Sequence, residues 1–178
     1  MTDAVRNELE KKRESEAEQL PEVYVFGAGH VGRALAAALA PLPLSVTVVE
    51  TRQEELANLP DGTKTRLVPM PEALVKDIPG GGAVVILTHD HALDFLIARE
   101  ALERNDLAYT GMIGSATKRA TFASWLSREG GGERGWMERL TLPIGGSAVR
   151  DKRPEVIAAM TAAEILTALA AYRLHSSS

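Results

Sequence analysis

The stretch Val23-Tyr24-Val25-Phe26-Gly27-Ala28-Gly29-His30-Val31-Gly32 decides how the chain reads. A short apolar run of strand-forming residues enters a hexapeptide with glycine at its first, third and sixth places, and a helical pattern follows over 31–40. In a strand, turn and helix of this kind the glycines differ in use. Gly27 permits the tight turn, Gly29 lets a pyrophosphate approach the backbone, and Gly32 with Ala36 lets the helix lie close to the strand. The helix N-terminus, where His30 stands, offers unpaired N–H donors and positive potential to a phosphate. The hexapeptide alone is a weak signal; its place between a strand and a helix gives it weight.

Working outward, the same alternation repeats. Apolar runs at 46–49, 67–68, 83–87, 107–113 and 139–143 are followed by helical patterns at 54–59, 72–78, 92–103, 117–127 and 155–173. The runs are nearly all apolar, as expected where both faces of a parallel sheet are covered. The pattern predicts an α/β fold: a doubly wound parallel sheet, Rossmann-like, of about six strands in three αβα layers, with strand order 3-2-1-4-5-6. Residues 21–178 read as one such domain, and 1–20, rich in Glu, Lys and Arg, as a charged helix or arm. The glycine-rich patches at 79–82 and 130–135 read as surface loops. The last helix is apolar enough to dock on the sheet or to meet a partner subunit.

Composition bounds what this domain can do. With 178 residues, 45% hydrophobic and 25% charged, the chain can bury a core that needs no covalent staple. The absence of cysteine excludes disulfides, thiolate metal sites and a cysteine nucleophile. A net charge of −4 gives no general attraction to nucleic acid or to an anionic membrane. No run approaches eighteen apolar residues and the charged N-terminus has no signal-peptide core, so the expected setting is the cytoplasm. Residues 109–153 carry a local net charge of +4 and could hold an anion.

Candidate site residues gather where strands end, because ligands of open α/β sheets bind beyond the carboxyl ends of the strands. Glu50 ends the second strand, placed to accept hydrogen bonds from ribose hydroxyls, while Arg52 two residues on could pair with a 2′-phosphate; NAD and NADP both stay open. After the fourth strand comes Thr88-His89-Asp90-His91, with Asp94 one helical turn later. Thr88 or Asp90 could cap the helix, and His89 could face a ligand. Two histidines alone lack a full ligand shell, and no metal site is assigned. After the fifth strand, Gly114 and Ser115 open a helix whose first turn carries Lys118 and Arg119. Cations there oppose the helix dipole at a cost of up to about 1 kcal/mol each, a conflict that an anionic ligand would relieve. A third patch, 142–147, leads into the basic residues Arg150, Lys152 and Arg153.

These segments, with Pro143-Ile144-Gly145 and Pro154-Glu155-Val156-Ile157-Ala158, resemble in order and spacing the C-terminal Rossmann-like domain of the xanthine dehydrogenase accessory protein (XdhC/CoxI) family, over about 23–172. The resemblance implies an accessory factor for a molybdenum hydroxylase, a chaperone rather than an enzyme, that binds molybdenum cofactor (molybdopterin) and aids its insertion. It implies as partners an apo molybdenum hydroxylase, a cysteine desulfurase or a protein carrying the family's separate N-terminal domain, and a second copy in a homodimer. A phosphate-binding turn, His89, Ser115, Lys118 and Arg119 are the contacts it implies for the cofactor. An NAD(P)-dependent oxidoreductase and an NAD-sensing regulatory module are the alternative readings.

Overall fold

The computed structural model describes residues 2–129, 132 and 135–178, and of 13–18 only the backbone. The glycine-rich stretch 130–135 lies mostly outside these described residues. Among the described residues six strands form one sheet: β1 (Glu22–Phe26), β2 (Ser45–Glu50), β3 (Lys64–Leu67), β4 (Ala83–Ile86), β5 (Tyr109–Met112) and β6 (Leu140–Thr141). Every pairing is parallel, in the order β3-β2-β1-β4-β5-β6, as the sequence predicts. The chain steps outward from β1 to β3, then returns to place β4 against the free side of β1. That reversal leaves a crevice beyond the carboxyl ends of β1 and β4.

The helices are α1 (Asp3–Glu18), α2 (His30–Leu39), α3 (His91–Glu103), α4 (Ala116–Arg128), α5 (Trp136–Arg139) and α6 (Pro154–Ser176). Alternate strand residues feed opposite layers. On β1, Val23 and Val25 pack with Leu35 and Leu39 of α2 and with Ile165 and Leu169 of α6, whereas Phe26 packs with Ile97 of α3 and Phe122 of α4. Helices therefore cover both faces, giving the three αβα layers.

Three local readings change. The segments expected as helices at 54–59 and 72–78 are 3-10 turns, Gln53–Leu56 and Pro71–Asp77. Prolines at 60 and at 71 and 79 leave too few residues to recover the cost of nucleating an α-helix. β3 is not an apolar strand: all four of its residues are exposed, because it is the sheet's rim, where Lys64 and Arg66 discourage edge pairing. Finally, α6 is long and apolar enough by length and composition to cross a membrane, although charged residues interrupt its run. In this fold its Ala158, Thr161, Ala162, Ile165 and Leu169 are buried, the apolar ones in the core layer shared with α2.

Candidate functional site

The turn between β1 and α2 separates its glycines by use. A Cβ on Gly27, where φ is +116°, would sit 2.3 Å from the Leu87 carbonyl oxygen; on Gly32 it would sit 2.1 Å from the carbonyl oxygen of Gly27. The protein's own packing demands glycine at both places. Gly29 differs: its φ of −70° suits any residue and a Cβ there would meet nothing within 4 Å. It is the N-cap of α2, and no side chain caps the helix; the first intrahelical bond runs from Arg33 N–H to the Gly29 carbonyl, 2.9 Å. The space beside Gly29 at this uncapped helix start is thus empty, and His30 next to it is exposed.

Side chains hold the residue between the first two glycines from both ends. The Ala28 N–H donates to Glu50 Oε2 at 3.0 Å, and the Ala28 carbonyl accepts from Arg33 Nη1 at 3.0 Å. Arg33 Nη1 also reaches Glu55 Oε2 at 3.0 Å, and Arg52 bridges Glu50 and Glu55, 3.3 and 3.7 Å away. Glu50 Oε1 accepts further from Thr51 N–H at 2.8 Å and Arg52 N–H at 3.2 Å. Glu50 is only 4% exposed. Burial pushes its pKa up, but the bonds from Ala28, the Arg52 side chain and Thr51 outweigh that and hold the carboxyl below its ordinary value.

Beyond β4 and β5, a second set of charges meets inside the protein. Asp90 caps α3, accepting from Ala92 N–H at 2.9 Å. Thr88 donates to Asp94 Oδ1 through its N–H at 2.9 Å and its hydroxyl at 2.6 Å. The other Asp94 oxygen takes Lys118 Nζ at 2.6 Å, and the same ammonium donates to the Ile113 carbonyl at 2.8 Å. Asp94 is fully buried and the Lys118 side chain is 8% exposed; a Cβ on Gly114 would lie 2.5 Å from Lys118 Cδ, so the stem fills the space beside that glycine. Arg119 turns away from the crevice and donates to the carbonyls of Met137 at 2.7 Å and Leu140 at 3.1 Å. The conflict between these cations and the α4 dipole is thus relieved by Asp94 and by backbone carbonyls.

Of the candidate residues, His30, His89 and Ser115 are exposed on the carboxyl edge, Ser115 accepting Lys118 N–H at 3.3 Å as N-cap of α4. His91 is exposed as well. Among the described residues no three His, Asp or Glu are grouped to hold a metal ion. A hollow of about 730 Å³ lies at the opposite edge, against the starts of β1, β2 and β3. Arg33 and Glu55, which complete the clamp on Ala28, carry no sequence signal: an exposed-looking pair on a helix and a turn, 22 residues apart.

Two solved structures are similar to this chain. The solved structure of a xanthine dehydrogenase from Bacillus halodurans superposes with a TM-score of 0.70 at 21% identity over 85% of this chain, which spans 43% of that protein's length. The NAD(P)-binding domain of an exopolyphosphatase-related protein from Archaeoglobus fulgidus covers 60% of this chain and 82% of its own at 22% identity, with a TM-score of 0.48. No curated protein sequence matches the chain. The model of the XdhC Rossmann domain matches residues 23–165, from the first core strand into the last helix, and the chain belongs to that family.

Proposed function

We propose that this domain holds the phosphate end of molybdenum cofactor and serves the maturation of a molybdenum hydroxylase of the xanthine dehydrogenase type. One observation carries the reading: Gly29 is a glycine that the fold does not need, and the space a side chain would fill lies at the uncapped amides of α2. A phosphate suits that space, since several N–H donors and the helix dipole converge on it. When bound, the cofactor supplies the redox-active molybdenum that the client enzyme uses. This chain, having no cysteine, gives the metal no thiolate, and its contribution is to bind and orient. His30, His89 and Ser115 line the edge along which the ring system would extend. The reading implies the cytoplasm as the setting and, as partners, the apo-hydroxylase, a cysteine desulfurase or a protein with the separate N-terminal domain, and a second copy of the chain.

Native mass spectrometry of protein purified without oxygen tests it. The parent should carry a phosphorylated pterin, and Gly29→Val should lose it while still folding, its melting temperature lowered by no more than a few degrees. Equal retention by the variant would remove the site.

A further inference from the structure

The end of β2 is built as though for a dinucleotide, yet its acid is spent. In dinucleotide sites the carboxylate at this place accepts a ribose hydroxyl. Here Glu50 Oε1 takes the N–H groups of Thr51 and Arg52 and the Arg52 Nε at 3.3 Å, while Oε2 takes Ala28 N–H and Arg52 Nη2 at 3.4 Å. A carboxylate accepts through about four lone-pair directions, so a ribose hydroxyl would find no free acceptor without displacing the guanidinium. A 2′-phosphate fares no better. It would have to draw Arg52 from two carboxylates, Glu50 and Glu55, and then stand beside both negative charges.

From this we infer that Arg52, locked on Glu50, is a specificity determinant: the turn accepts a phosphate ester but rejects the adenosine ribose of NAD and NADP. The inference rests on the reading of Gly29 as a phosphate cradle and narrows its ligand to phosphorylated compounds that need no diol at Glu50. Arg52 stands at the surface, a third exposed, so its replacement spares the core.

Calorimetric titration of the parent, Arg52→Ala and Arg52→Gln with inorganic pyrophosphate, NAD and NADP tests it. The parent should bind pyrophosphate at least as tightly as either dinucleotide. Arg52→Ala and Arg52→Gln should tighten NAD by about tenfold, the worth of one freed charged acceptor. Pyrophosphate affinity should change by less than about fivefold, as expected for an exposed charge. NAD or NADP binding the parent about tenfold better than pyrophosphate, or NAD affinity unmoved in both variants, would overturn the inference while leaving the cradle intact. Absence of pyrophosphate binding in all three proteins would instead overturn the cradle, and the inference with it.

Discussion

The turns after β1 and β5 border the same edge of the sheet and look alike in sequence, each offering glycine and a cation near a helix start. In the folded chain they are opposites. At the first, the space beside Gly29 is empty, no side chain caps α2, and the surrounding charges clamp the backbone at Ala28. At the second, Lys118 and Arg119 are consumed by Asp94 and by the carbonyls of Ile113, Met137 and Leu140. A cation near a helix N-terminus is evidence of an anion, and the anion can be the protein's own.

The sealed side should break hardest. Asp94→Ala leaves the Lys118 ammonium buried without its partner and should cost about 3–5 kcal/mol in urea unfolding, with Lys118→Met in the same background returning part of the loss. Gly32→Ala should come next, at about 1–3 kcal/mol, because its methyl would drive into backbone atoms of the first turn.

Glu50→Gln should cost about 1 kcal/mol at neutral pH and change the shape of the acid limb. The native carboxyl titrates below its ordinary value of 4.5, so the unfolded chain binds more protons in between. The stability that Glu50 contributes is therefore complete above pH 4.5 and lost as the pH falls through the native pKa, and the variant should show a flatter decline there. Gly29→Val should have the smallest effect on stability, at most about 1 kcal/mol from the poorer N-cap, in contrast to Gly27 and Gly32 two and three residues away. A large loss there would show that the open space matters to the fold and would blur the contrast between the two sides.

Much of this was legible in the sequence, and the boundary has a physical cause. The alternation of strands and helices, the roles of Gly27 and Gly32 and the caps at Asp90 and Ser115 follow from periodicity and from partners within a few residues, whereas the strand order is the one this class of fold commonly takes. The fate of Lys118 and Arg119 does not. Their partners lie 24 and 18 to 21 residues away, reached only once α3 and α5 have packed. Glu50 is the intermediate case: its place at the end of β2 was readable, but the bonds that use up its oxygens, from Ala28 across the turn and from Arg52, depend on side-chain orientation. The rim strand β3 lies at 64–67 and overlaps the apolar run at 67–68 by one residue only, because an edge strand need not be apolar.

Backbone amide chemical shifts, followed by NMR while inorganic phosphate is added, test the central claim most directly. The account predicts saturable shifts at residues 29–32, with those at 115–118 nearly still, and their loss in Gly29→Val. Shifts confined to the α4 start, or none at the α2 start, would contradict it.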